Sequence, residues 1–207
     1  MKIIGVDFSI NKPAVCIFDH IGYAFYSAPF GLSERVLDIY REAGVTILNR
    51  TDEKYKGKDS SEKMRWEVQN AMYLADLLLL GLPNGDTKDW KIAFEGFSFA
   101  SKGNVALQLG GYKYILMQTL FDENIAFENM YTYAPITIKK TAGCSKKGMK
   151  KKDMIDSFIA KAPENHLVNA IRSDPDLFKK KTGAWIDHLD DFVDAFWAVE
   201  TFKEKNP

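Results

Sequence analysis

The stretch Lys2-Ile3-Ile4-Gly5-Val6-Asp7 is a short apolar run that ends in a carboxylate, and it decides the fold of this chain. A second run of the same kind, Lys91-Ile92-Ala93-Phe94-Glu95, lies far along the sequence. Apolar runs of this length are typical of buried strands. The sequence therefore predicts two buried strands, each with an acid at its end.

A third group of acids lies in the last predicted helix, which spans about 187–204. Its face carries four aspartates, namely Asp187, Asp190, Asp191 and Asp194. An ordinary amphipathic helix with a wet acidic side is the usual interpretation of such a face. Two features speak against it here: no lysine is interleaved to relieve the repulsion, and Ala195 and Ala198 are small enough to let the face approach a sheet. We interpret His188 as a surface residue, with support of a nearby carboxylate as the alternative.

Clustering these carboxylates is costly, because like charges raise one another's pKa. A divalent cation would offset that cost. Ligand sets made only of oxygen suit Mg²⁺, for which Mn²⁺ can substitute. The sequence therefore predicts metal-assisted phosphodiester hydrolysis.

Composition and length set broad limits. With 207 residues and 46% hydrophobic residues, the chain can bury a full core, and we expect a single domain over residues 1–207. No stretch approaches the ~20 apolar residues of a membrane span, so no membrane partner is expected. Because a strand follows Met1 directly and Cys16 and Cys144 are too few for a disulfide framework, we expect a reducing cytoplasm, a host's cytoplasm if the chain is viral.

Net charge is zero, but the charges are unevenly distributed. Seven lysines fall in one short segment: Lys139, Lys140, Lys146, Lys147, Lys150, Lys151 and Lys152. Such a segment is often a solvated loop. Beside an acidic metal cluster, it can instead bind a polyanion such as DNA locally.

Periodicity and turn signals predict the order βββ–α–β–α–β–α–α. The first three strands, at 3–8, 14–18 and 23–27, are joined by tight turns and should be antiparallel. Later elements are helices at about 60–80, 104–122 and 151–161 and strands at 91–95 and 125–133. The prediction is an α/β protein with a mixed five-stranded sheet flanked by helices.

Four sequence blocks form an ordered set along the chain. They are the strand ending at Asp7; Phe94-Glu95-Gly96-Phe97 with Val105-Ala106-Leu107-Gln108-Leu109-Gly110; Ile138-Lys139-Lys140-Thr141-Ala142-Gly143 with Lys151-Lys152-Asp153-Met154; and Asp191-Phe192-Val193-Asp194-Ala195-Phe196-Trp197-Ala198. Together these blocks resemble the RuvC-type Holliday junction resolvases of the RNase H-like superfamily, and the last block is similar to that family's D-x-x-D-A-x-x-A. Each block alone is weak, but the four occur in the family's order over about half of the chain.

The resemblance implies an RNase H-like fold, a homodimer and Mg²⁺-dependent symmetric nicking of four-way DNA junctions. It implies that the metal-binding catalytic carboxylates are Asp7, Glu95, Asp191 and Asp194, with Asp190 as a further candidate ligand. Two ions would be held, one activating water and the other stabilising the leaving 3′-oxygen. The implied DNA contacts are the seven lysines above, Lys102, and the aromatic residues Phe97 and Phe99, which can stack on unpaired bases.

The chain also departs from the family. The insertion at 31–90 and the segment Pro163 to Ile186 are longer, and Gly96 replaces the usual Gln after the catalytic Glu. Two alternatives stay open: a nuclease of the same fold that acts on other branched DNA or on RNA–DNA hybrids, and a non-catalytic DNA-binding module. An actin-like ATPase or sugar kinase is disfavoured, because Asp7 is followed by Phe8-Ser9-Ile10-Asn11 without the glycine of a phosphate turn.

Overall fold

A computed structural model describes residues 1–9, 11–52, 55–82, 87–96, 104–146 and 148–207, with only the backbone of 104–109. These residues form one mixed sheet with helices on both faces. The strands are β1 (Lys2–Asp7), β2 (Ala14–Phe18), β3 (Tyr23–Ser27), β4 (Thr46–Ile47), β5 (Trp90–Glu95) and β6 (Met130–Tyr133). The helices are α1 (Glu34–Glu42), α2 (Ser60–Leu80), α3 (Asn104–Asp122), α4 (Pro135–Thr141), α5 (Lys151–Lys161), α6 (His166–Ser173) and α7 (Leu189–Lys205).

The strand order is β4-β3-β2-β1-β5-β6. The β1–β2 and β2–β3 pairs are antiparallel, while β1–β5 and β5–β6 are parallel. Three antiparallel strands followed by two parallel ones is the RNase H-like arrangement, so the predicted α/β fold is confirmed. The expected strand number of five is wrong for the described residues, because β4 adds a two-residue parallel edge strand to β3.

Side chains alternate across the central strands and build two separate cores. Ile4 and Val6 face α2 and α3, whereas Ile3 faces α7 and the helices around it. On the α7 side, Gly5 and Asp7 continue the register of Ile3. The acid at the end of β1 therefore lies on the sheet face that α7 covers.

Several element boundaries differ from the sequence prediction. The last strand, expected at 125–133, is shortened to Met130–Tyr133 by the short 3-10 helix Phe127–Asn129 that precedes it. Helices α1, α4 and α6 were not predicted. The final helix begins at Leu189, so Asp187 precedes it. No described helix is long and apolar enough to cross a membrane.

Candidate metal centre

Asp7 and Glu95 come together because they end two neighbouring parallel strands. β1 pairs with β5 in the register Val6↔Phe94, which places the two acids next to each other. Glu95 also continues the face of Ala93, which belongs to the core beneath α7. The paired strand ends thus present two carboxylates to the same helix.

Helix α7 brings the third carboxylate, and a glycine makes its approach possible. A Cβ on Gly5 would lie 2.0 Å from the carbonyl oxygen of Ala195, so α7 crosses β1 at backbone contact. Ala195 and Ala198 are fully buried at this crossing, as their small size predicted. Asp194, the residue before Ala195, is thereby carried to the ends of β1 and β5.

The result is a cluster of three carboxylates. Asp7, Glu95 and Asp194 each offer an oxygen, and these oxygens lie within 4.8 Å of one another. Burial and then the charges of Asp191, Asp194 and Glu95 raise the pKa of Asp7 well above its ordinary value. Burial, followed by repulsion from Glu95, also raises the pKa of Asp194. Such repulsion is what a bound divalent cation would relieve, and the all-oxygen donor set fits Mg²⁺ or Mn²⁺.

The remaining acids of the last helix do not all join this cluster. Asp191 lies near enough to Asp7 for its charge to raise the pKa of Asp7, and its Oδ2 lies 2.7 Å from Nδ1 of His188. Asp190 instead forms an ion pair with Lys151. Asp187 lies 2.7 Å from Nζ of Lys180, and this hydrogen bond lowers its pKa. The interpretation of His188 as a surface residue is wrong: it is 1% exposed.

The positive charges of two predicted lysines lower the pKa of a carboxylate in the cluster. Burial raises the pKa of Glu95, and the positive charges of Lys151, Lys139 and Lys113 oppose that shift. Lys139 is in the last turn of α4 and Lys151 is in the first turn of α5, both exposed. The other predicted lysines that the structure describes are also exposed: Lys140, Lys146, Lys150 and Lys152. Phe97, Phe99, Lys102 and Lys147 lie outside the described residues.

Lys113 on α3 is a site residue that sequence reasoning missed. It is 5% exposed, its Nζ donates to the backbone carbonyl of Glu95 at 2.8 Å, and it lies over the ring of Phe94. Burial lowers its pKa to about 8, against the attraction of Glu95 and Asp7. A lone lysine within a predicted helix gives no sequence signal for this position, since lysines are usually exposed.

The strand order and the carboxylate cluster define an RNase H-like α/β protein with a candidate divalent-metal centre. Solved structures similar to this chain include "Thermus thermophilus RuvC structure", at 11% identity and a TM-score of 0.49, covering 99% of this chain and 96% of that one. Another is "T. thermophilus RuvC in complex with Holliday junction substrate", at 10% identity and a TM-score of 0.47, covering 100% and 96%. No protein-family model matches the sequence, and no curated protein matches it either.

Proposed function

We propose that this protein is a metal-dependent endonuclease that resolves four-way DNA junctions by paired symmetric nicks. The observation that carries the proposal is the cluster of Asp7, Glu95 and Asp194 at the ends of the two central parallel strands. The exposed lysines Lys139 and Lys151 beside it provide the positive charge that a DNA backbone requires. The junction as substrate, and the homodimer that two symmetric nicks need, rest on the four sequence blocks.

The chemistry is hydrolysis of a phosphodiester. Water adds to phosphorus, the bond from phosphorus to the 3′-oxygen breaks, and a 5′-phosphate and a 3′-hydroxyl remain. Asp7, Glu95, Asp194 and Asp191 would hold the ions, whereas Asp190 is paired with Lys151. When bound, two Mg²⁺ or Mn²⁺ ions supply an activated water and stabilise the leaving oxygen.

The protein's own side chains would place the DNA. Lys151 is oriented towards the acids by its ion pair with Asp190. Burial lowers the pKa of Lys151, but its hydrogen bond to Asp190 and the charges of Asp190, Asp191 and Asp194 outweigh burial and raise it. Lys151 is therefore positively charged at neutral pH and can contact the phosphate next to the cluster. Lys139, Lys140, Lys146, Lys150 and Lys152, with Lys102 and Lys147, would add backbone contacts further away, and Phe97 and Phe99 would stack on unpaired bases.

A cleavage assay on defined substrates tests the proposal. A labelled mobile four-way junction, a linear duplex, a Y-fork and an RNA–DNA hybrid are each incubated with Mg²⁺ or Mn²⁺, beside Asp7→Asn as control. Paired symmetric nicks confined to the junction support a resolvase. Equal cutting of forks or hybrids moves the function to a broader nuclease, and tight binding of the junction without cutting favours the non-catalytic module.

Light scattering coupled to size exclusion tests the homodimer separately, with and without the junction. A dimer bound to each junction is the expected result. A monomer that nicks only one strand per binding event would contradict paired resolution.

A further inference from the structure

His188 is buried beneath α7 rather than exposed on the surface. Its ring packs between Tyr40 and Phe192, with centroids 6.1 Å and 4.4 Å away, in the core beneath α7. Its backbone has φ 79°, a left-handed conformation that strains most L residues. A polar ring held in such a position needs partners for its two nitrogens.

Both ring nitrogens have a partner. Nε2 lies 2.6 Å from Oγ of Ser27, whose hydroxyl donates to the carbonyl oxygen of Pro13 at 2.5 Å. Because the single hydroxyl proton of Ser27 goes to Pro13, its oxygen accepts from Nε2–H of His188. On the other side of the ring, Nδ1 lies 2.7 Å from Oδ2 of Asp191, within hydrogen-bond distance.

This chain of hydrogen bonds runs from the sheet to the carboxylate. Ser27 pairs with Ala14 on β2, and Ala14 in turn pairs with Asp7 on β1. His188 therefore ties Asp191 to the same end of the sheet at which Asp7 lies. The imidazole contacts Oδ2 of Asp191.

The neighbouring residue Asp190 has a different partner. It was the less certain candidate for a metal ligand, and it is paired with Lys151. Asp191 instead lies near Asp7, and its carboxylate is 2.7 Å from the buried ring of His188. Carboxylates that bind metal are commonly oriented by such a hydrogen bond from a residue that does not itself touch the ion.

We propose that His188, supported by Ser27, is a positioning residue that selects Asp191 over Asp190 as a metal ligand and orients it towards Asp7. This inference rests on the proposed function, since it assumes that the carboxylate cluster binds a divalent cation. It also gives a reason for the strained backbone at residue 188: the left-handed turn before α7 turns the ring inward.

The test measures Mn²⁺ binding to the DNA-free protein by the loss of the free-ion signal in electron paramagnetic resonance. The variants are His188→Asn, which keeps a residue that tolerates a positive φ, and Ser27→Ala, which removes only the hydroxyl. The expected result for His188→Asn is an affinity ~10–100-fold weaker than wild type, with a smaller loss for Ser27→Ala. Asp191→Asn should weaken binding as strongly, whereas Asp190→Asn should change it little.

Unfolding temperatures in EDTA, measured in parallel, separate this role from a merely structural one. A packing role alone predicts a lower unfolding temperature with unchanged Mn²⁺ affinity in the folded protein, and that result overturns the inference. If His188→Asn does not fold, Ser27→Ala decides, and an unchanged affinity there overturns it equally. Wild-type protein that binds no Mn²⁺ and cuts no DNA would instead overturn the proposed function itself.

Discussion

Gly5 on β1 lies directly against the backbone of Ala195 on α7. A Cβ at Gly5 would come 2.0 Å from the carbonyl oxygen of Ala195 and 2.8 Å from a methyl group of Val199. The first contact cannot relax cheaply, because it is with helix backbone. The distance between the strand and the helix, and with it the distance from Asp7 to Asp194, therefore depends on a residue without a side chain.

Gly5→Ala should separate α7 from β1 and damage both stability and the metal centre. Overpacking of a well-packed core costs about 1–3 kcal/mol, occasionally more, which urea unfolding would measure. Gly111→Ala on α3 is the matched control, since a Cβ there would have nothing within 4 Å. In a helix, that second change should stabilise by up to ~1 kcal/mol. Equal, small effects of the two substitutions would contradict the close crossing.

Asp7→Asn should abolish cleavage while leaving junction binding nearly intact. The substitution removes the carboxylate at the centre of the cluster but none of the exposed lysines of α4 and α5. Gel shifts in EDTA would measure binding, and single-turnover cleavage in Mg²⁺ would measure activity. Cleavage by Asp7→Asn at the wild-type rate would show that the metal centre is assigned to the wrong residues.

Stability without metal should fall as pH rises. Burial and the neighbouring acids raise the folded-state pKa of Asp7 and Asp194 above the ordinary value of 3.8. Between the ordinary and the raised pKa, the folded protein holds more protons than the unfolded chain, so the free energy of unfolding decreases with increasing pH across that window. Thermal unfolding in EDTA between about pH 5 and about pH 8 would measure this decrease.

Two comparisons check the source of this pH effect. Asp7→Asn should flatten the profile, whereas Asp122→Asn, on the exposed end of α3, should not. The same concentration of Mg²⁺ is added at both pH values, a hundredfold above its Kd at the higher pH. It should stabilise the protein by ~2.7 kcal/mol at the higher pH and by less at the lower pH. An identical gain at both pH values would argue that the ion binds elsewhere.

Much of the scaffold could be predicted from sequence, because the relevant signals are local. The helices Ser60–Leu80, Asn104–Asp122 and Lys151–Lys161 agree with the bounds that periodicity predicted. β4 could not be found, since two residues carry no periodicity. Helix α1 was missed although Val36, Ile39 and Tyr40 lie at helical spacing, because nine residues give only a short periodic signal.

The residues of the candidate site also fall into those with a local sequence signal and those without one. The acids of β1 and β5 were visible because each ends an apolar strand, and Asp194 because it lies in an acidic helix. The burial of His188 was not visible, because its partners Ser27 and Tyr40 are distant in sequence and meet it only through the fold. Lys113 was missed for the same reason: its contact with the Glu95 carbonyl depends on how α3 packs against the sheet.

Lys151→Ala should lower the cleavage rate more than the affinity for the junction. Lys151 pairs with Asp190 and acts on Glu95, Asp191 and Asp194, so its charge lies next to the acids that would hold the metal. Lys152→Ala is the matched control, since that exposed lysine is the next residue on the same helix. Single-turnover rates at saturating protein, compared with binding constants, separate the two effects. Equal losses for both variants would reduce Lys151 to a general phosphate contact.

Charge reversal in the lysine segment should weaken junction binding and flatten its dependence on salt. Each lysine that neutralises a phosphate releases counterions, and the slope of log K against log[salt] changes by ~0.9 for each phosphate that is no longer neutralised. Lys146→Glu combined with Lys150→Glu removes two exposed charges just before α5. Lys205→Glu, at the far end of α7 from the carboxylates, is the control and should leave the slope unchanged. If the double variant keeps both the wild-type affinity and the wild-type slope, the segment is a solvated loop that does not contact the DNA.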